Sequence, residues 1–439
     1  MLKRIFTIGL ITGAGQLFVV FALKYISQNS SPEQVKAIGQ IDSLVLFIMN
    51  VIALGLQSSA MRNLALADDW KSEYANTQSA RFTLSFFIAA FALLAFIDKY
   101  YLVFLIAPLL ALSGDYALYG RGYPIKGSVI ALIRAIVPFS MLFILMRSEV
   151  QFSLLYFIGL LLAYIFTNLF ISLFLKTSLI PRLNFVALKM YITSISLGIV
   201  SLSLYFIGIG IILIAQYFYT SPVLATAFIG LKFYIIYKGT LRILHQAFFK
   251  EMINEEVCLK IDQLSTIAGI VFLGSVIFFP RSFITFFFGE QYLDQQSFFI
   301  FIGVAGLIYT LFLSMATRSL LLKKDKIYTI ITAIAAIITI ILSILFAFIF
   351  KTASGIAFSI LIGELVWMCG LIKIAGTTEA IWQRMSFLLQ CLVVLLLPLG
   401  MRYLIGDHLL VYIFSFALFS VIQLFLHSRK LRTMLQEES

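Results

Sequence analysis

Four charged residues interrupt long apolar runs in this chain: Arg134, Lys232, Lys238 and Glu364. A charge at the centre of a bilayer costs at least ~2.5–3.5 kcal/mol, so such side chains mark substrate paths, ion sites or buried pairs. The arginine fork of Arg134 suits a phosphate bidentately, and the lysines serve as point charges. Further along, Tyr234, Lys238, Arg242 and His245 fall at helical spacing on one face and would form a cationic stripe. The chemistry expected is non-covalent: Arg134, Lys232, Lys238 and Arg242 bind an anionic headgroup in a cationic cavity. Glu364 either pairs with one of these cations or couples the cycle to a proton or another cation. The plainer alternative has Arg134 or Lys232 pair with Glu364 to stitch helices together, while Lys238, Arg242 and His245 snorkel to one surface. Asp42, Asp115 and Asp262 lie nearer the ends of their runs, where Asp42 and Asp115 are expected to reach water. Asn50, Asn168 and Gln390 are expected to bond neighbouring helices rather than substrate.

No catalytic constellation accompanies these charges. The sequence has no G-x-x-x-x-G-K-[ST] loop, no H-E-x-x-H pair and no G-x-S-x-G elbow. Its three histidines are scattered, and His408 and His427 fall at span ends, where they are expected to be solvated. Cys258, Cys369 and Cys391 show no CxxC spacing. Cys369 and Cys391 read as small buried hydrophobes. A metal, a cofactor and an enzymatic activity are therefore not expected. A net charge of +12 could suggest nucleic acid, but the basic residues sit in short gaps between apolar runs, with no basic domain to grip a phosphate backbone.

The elements that position these residues are membrane-spanning helices. Of 439 residues, 62% are hydrophobic and 12% charged, with a mean hydropathy of +1.04. Soluble domains are about a quarter charged, and a β-barrel would show short alternating stretches rather than long runs. With roughly 20 apolar residues needed per crossing, the sequence predicts an all-α, polytopic helical bundle of fourteen spans. They fall near 5–26, 38–62, 80–97, 101–120, 124–146, 151–175, 190–216, 221–248, 262–285, 295–321, 327–350, 354–375, 386–404 and 408–427. The start, Met1-Leu2-Lys3-Arg4 followed by an apolar run to Ile26 without a small-residue cleavage site, reads as a retained first helix. Pro124 and Pro222 suit first-turn positions, whereas Pro108, Pro138, Pro280 and Pro398 should kink their spans.

Basic residues set the orientation. With the N-terminus cytoplasmic, the inside-facing ends, among them Arg62, Lys71, Arg81, Arg121, Lys126, Lys324 and Arg384, carry an excess of roughly three to one over the outside ends. Both termini are then cytoplasmic. All loops are short, and the longest, residues 63–81, is expected to hold a short interfacial helix around Trp70. An internal echo relates spans one to six to spans seven to twelve. Each half has a long second helix with a basic or polar end, Gly55–Arg62 and Gly239–Gln246. Each also has a basic turn between its fourth and fifth helices, Arg121–Lys126 and Lys323–Lys326. The expected organisation is a six-helix lobe over residues 1–183, a second over 184–378, and a terminal helix pair with a cytoplasmic tail over 379–439.

Several stretches in order along the chain resemble a known family. They are Ala53-Leu54-Gly55-Leu56-Gln57-Ser58-Ser59-Ala60-Met61-Arg62, the turn Phe288-Gly289-Glu290-Gln291-Tyr292, the basic turn Lys323-Lys324-Asp325-Lys326, and Gly355-Ile356-Ala357 at the opening of the twelfth helix. Together they resemble polysaccharide (O-antigen) flippases of the Wzx type, in the superfamily that also holds the multidrug and toxic-compound extruders. The resemblance implies two six-helix lobes around a cationic cavity. It also implies alternating access and a bacterial inner-membrane location, and a substrate consisting of an oligosaccharide repeat unit on undecaprenyl pyrophosphate. Membrane lipids and a polysaccharide polymerase are the implied partners. No binding residue transfers by motif, so the site residues rest on charge and depth. A cation-coupled drug extruder of the same superfamily is the first rival, and its cavity should be acidic and aromatic rather than basic. A membrane glycosyl- or acyl-transferase is the second, and it would need an acid–base or histidine cluster near one interface.

Overall fold

The computed structural model describes residues 2–145, 152–247, 252, 254–322, 324–375 and 378–437, and among these the chain is helical throughout, with no strand. Among the described residues twelve helices are long and apolar enough to cross a membrane, and the pair Glu290–Leu311 and Leu313–Ser319, bent by 45°, passes the same test when taken together. The last expected span corresponds to the shorter apolar stretch Leu409–Gln423. The expected polytopic bundle is what the chain forms.

Its contacts divide the chain into two compact units, Met1–Ile229 and Gly230–Ser439. The first holds α1 (Leu2–Asn29), α2 (Pro32–Ala53), α3 (Leu56–Leu66), α4 (Trp70–Ala89), α5 (Ala107–Ala111), α6 (Asp115–Gly120), α7 (Pro124–Leu145), α8 (Phe152–Leu175), α9 (Met190–Phe206), α10 (Ile212–Ala215) and the start of α11 (Ser221–Ala247). The second holds the rest of α11, then α12 (Glu255–Phe278), α13 (Pro280–Phe287), α14 (Gln296–Leu311), α15 (Leu313–Leu321), α16 (Asp325–Ile349), α17 (Ala353–Ala375), α18 (Thr378–Val394), α19 (Leu396–Ile405) and α20 (Leu409–Glu437). This division differs from sequence lobes ending at 183 and 378. The seventh span, α9, packs on α2 and α3 in the first unit, and α18 and α20 pack on α12 in the second.

Local chemistry explains several helix ends. Ser31 and Gln34 form a reciprocal capping box at the start of α2, with Pro32 in the first turn. The expected long second helix, 38–62, is instead two helices, because Leu54 and Gly55 adopt left-handed backbone conformations with φ of 30° and 77°. The break frees backbone carbonyls inside the bundle, where each must find a donor. α9 supplies them: Tyr191 donates to the Ile52 carbonyl at 2.6 Å, and Ser194 donates to that of Leu54 at 3.3 Å. Two glycines permit this approach. A Cβ on Gly198 would lie 2.6 Å from the Leu54 carbonyl carbon, and one on Gly55 would lie 2.6 Å from the Gly198 nitrogen.

Other expectations shift in the same way. Trp70 opens α4 directly, with Asp69 capping it by accepting from the Ser72 N–H at 3.3 Å, so no separate interfacial helix forms there. Pro138 lies inside α7, as expected, and Gly159 lets α8 approach it. Pro108 and Pro280 begin helices rather than kinking them, since a first-turn proline loses no hydrogen bond. Pro398 follows the junction of α18 and α19. The Phe288–Tyr292 segment does turn, at Gly289 with φ of 109°, a conformation that only glycine adopts freely. Lys323 and the side chains of Arg62, His245 and His427 lie outside the described residues.

Replacing Gly55 with valine should force the α2–α3 break and α9 apart and destabilise the protein by about 1–3 kcal/mol, as overpacking does. Thermal unfolding in detergent measures this, and an unchanged midpoint would count against the close approach as a structural requirement.

Candidate functional site

Among the described residues, three ion pairs lie in or at the edge of the interior, one in the first unit and two in the second. In the first, Arg134 on α7 faces Tyr164, Thr167 and Asn168, which share one face of α8 at i, i+3 and i+4. Its Nε donates to Thr167 Oγ1 at 2.9 Å and its Nη2 to Asn168 Oδ1 at 3.1 Å, while the guanidinium lies 4.5 Å from the Tyr164 ring centroid. The third nitrogen, Nη1, meets Asp115 at 3.4 Å, the two side chains being 10% and 24% exposed. Asn168 is itself fixed by donating to the Leu109 carbonyl at 2.9 Å. Arg134 is thus oriented by neutral groups on one side and offers its remaining edge to a loosely held, partly exposed carboxylate. Such an edge can exchange one anion for another.

In the second unit, Lys238 on α11 is buried against Glu364 on α17. Its Nζ lies 2.6 Å from Oε1, which also accepts from the Tyr234 hydroxyl at 2.8 Å. Tyr234 and Lys238, one helical turn apart, present both donors from the same face of α11. The ammonium lies 4.3 Å from the Tyr309 ring centroid, and Tyr309 stacks on Trp367 at 5.6 Å. Glu364 is held there by the close packing of α16 and α17, where Gly363 and Gly370 receive Thr339 and Ile331.

The third cluster was not legible as a site from the sequence. Asp262 on α12 is fully buried and pairs with Arg384 of α18 at 2.8 Å. It accepts further hydrogen bonds from the Ser314 N–H at 2.8 Å and hydroxyl at 2.6 Å. The unwound junction between α14 and α15 leaves the Ser314 N–H without a helical partner, and the carboxylate satisfies it.

The predicted site residues therefore part company. Arg134 and Lys238 each meet a carboxylate within their own unit; Lys232 is half-buried on α11; Arg242 is exposed and neighbours the Tyr309 hydroxyl. The cation facing Glu364 is Lys238, not Arg134 or Lys232. Several polar residues lie deeper than expected. Asp42 is buried and accepts from Tyr156 at 2.7 Å, so it does not reach water in the way its position near a span end suggested. Arg81 and Arg384, assigned to inside-facing ends, are both buried, Arg81 against the Ser113 carbonyl and the Tyr116 ring. Asn168 does bond neighbouring helices, whereas Asn50 donates to its own helix at Leu46 and Gln390 is exposed. Asp262 and Arg384 stand at the very edge of their expected spans, 262–285 and 386–404, where a charge is ordinary, so no signal in the sequence singled them out.

No protein-family profile matches this chain, and neither does any curated protein sequence. Among solved structures it is similar to the lipid II flippase MurJ in an inward closed conformation, with a TM-score of 0.72 and 14% identity over 97% of this chain and 99% of that one. It is also similar to an inward-facing multidrug resistance MATE family transporter of the MOP superfamily, with a TM-score of 0.62 and 14% identity over 87% of this chain and 99% of that one. A eukaryotic MATE transporter matches with a TM-score of 0.53 and 13% identity over 88% and 96%. The chain has the fold of these multi-pass membrane proteins.

Removing one partner of the dry Asp262–Arg384 pair leaves a charge stranded, a loss of about 3–5 kcal/mol. Arg384→Met should therefore lower the unfolding midpoint sharply, and adding Asp262→Leu should restore most of the loss. A double variant no more stable than the single would contradict this account of the pair.

Proposed function

We propose that this chain is a bacterial inner-membrane transporter that moves polyprenyl-pyrophosphate-linked oligosaccharide repeat units from the cytoplasmic to the periplasmic leaflet by alternating access, for cell-surface polysaccharide synthesis. It acts without a catalytic residue or cofactor. The observation that carries this reading is the exchangeable edge of Arg134. A pyrophosphate crossing the bilayer needs a cationic partner that is oriented and yet not locked to a buried carboxylate. Arg134 meets both conditions, since neutral side chains fix its plane while Asp115, itself 24% exposed, stands 3.4 Å away. The pyrophosphate displaces Asp115 from Nη1 and takes its place. On α11, Lys232 and Arg242 remain candidate anion-binding cations in their own right, and Glu364 is the candidate for ion coupling. The fold shared with MurJ, named as a lipid II flippase, supports a lipid-linked substrate. The basic-residue bias that places both termini in the cytoplasm fits loading from the inner leaflet.

The MATE likeness favours one rival, a cation-coupled drug or toxin extruder. The charge sign weighs against it. A pocket for cationic drugs calls for an unneutralised carboxylate, whereas Glu364 is fully buried and bound to Lys238, and the partly exposed Asp115 faces Arg134.

Deleting the gene should cause complete repeat units to accumulate on their carrier while surface polysaccharide disappears, with both effects reversed by the intact gene. Complementation with Arg134→Ala should fail at normal protein level, and Arg134→Lys should restore only part, because a lysine lacks the fork. Normal polysaccharide without accumulated carrier-linked sugar would overturn this substrate and direct attention to drug sensitivity.

A further inference from the structure

Glu364 is an unusual carboxylate for a membrane interior, because only half of it is used. Oε1 accepts from both Tyr234 and Lys238, while Oε2 has no hydrogen-bond partner, although the side chain is fully buried. A buried lone pair of a carboxylate left without a donor is costly, and native structures seldom keep one without a reason. The Lys238 ammonium, in turn, sits between this carboxylate and two aromatic faces, 4.3 Å from the Tyr309 centroid and 5.0 Å from that of Tyr234. Carboxylate oxygens, a phenol oxygen and aromatic faces are ligands for a compact monovalent cation. The lysine head occupies the place that such a cation would take.

We infer that Glu364, Tyr234 and the Tyr309 face form a monovalent-cation site whose resident cation is the tethered ammonium of Lys238. Charge balance makes the occupancy exclusive. With Lys238 in place the carboxylate is neutralised, and a second cation would add an uncompensated charge to a dry core. With Lys238 gone, the carboxylate keeps only the Tyr234 hydroxyl, and sodium binds to both of its oxygens. The native protein then needs no sodium at this site, and any step that requires a free metal cation there must first withdraw Lys238. This deepens the reading of Glu364 as the coupling residue and rests on it. The test is a binding measurement that requires no lipid-linked sugar, so the substrate assignment and this inference can fail separately.

The experiment compares thermal unfolding of the purified chain in sodium and in potassium chloride, from about 1 to about 100 mM at constant ionic strength. The native protein should show the same midpoint in both salts. Lys238→Met should gain a rise of about 2 °C or more that is specific to sodium, saturates with concentration and disappears when Glu364→Gln is added. Recovery of Lys238→Met only from sodium buffers would be the same result in stronger form. Two outcomes overturn the proposal. One is a sodium-specific rise in the native protein that Glu364→Gln removes. The other is a Lys238→Met variant that gains nothing from sodium, or fails to fold in either salt while the Lys238→Met/Glu364→Gln pair folds normally; in that case the pair is structural only.

Discussion

Placing a charge in an apolar interior is tolerable only if an opposite charge or a set of oriented dipoles comes with it, and that constraint organises this chain. An unpaired charge in the hydrocarbon is expensive, and a buried pair is stable only when its remaining lone pairs and protons are also satisfied. Arg384 and Asp262 meet the requirement in full, with Ser314 completing the carboxylate. Lys238 and Glu364 meet it with one oxygen left over. Arg134 meets it through neutral partners and leaves its acid at arm's length. The three arrangements grade from closed to open, and the proposed roles follow that order: helix anchoring, ion coupling, anion binding.

The helices serve these pairings. Because lipid is as apolar as a leucine side chain, spans associate through close packing and polar contacts rather than through a hydrophobic drive. Gly363 and Gly370 bring α17 against α16 and so set the depth of Glu364. Gly55 and Gly198 bring the α2–α3 break against α9, whose Tyr191 and Ser194 satisfy the carbonyls released there. Breaks at Leu54 and Phe312 create short helices within the bundle, and each exposes backbone groups that a neighbouring side chain satisfies.

Much of this was legible in the sequence, for a physical reason. Spans are long uninterrupted apolar runs, so a length ruler finds them, and deep charges such as Arg134 and Glu364 stand out against that background. What stayed hidden is what depends on distant partners. Lys238 and Glu364 are 126 residues apart, and Arg384 and Asp262 are 122 apart. No local spacing encodes such pairs, so Lys238 read as a snorkelling or substrate residue and Arg384 as a cytoplasmic one. The break at Gly55 was hidden likewise, because its stretch is helical in composition and only the approach of α9 makes the left-handed turn affordable.

Arg134 is proposed to hold a pyrophosphate as it crosses the bilayer. This role is tested most directly by reconstituting the purified chain into vesicles that contain a fluorescent polyprenyl-pyrophosphate oligosaccharide and measuring leaflet exchange by chemical quenching. The account predicts protein-dependent exchange that Arg134→Ala abolishes and that a polyprenyl-linked sugar lacking the pyrophosphate does not undergo. Equal exchange of the two lipids, or undiminished exchange by Arg134→Ala, would contradict it.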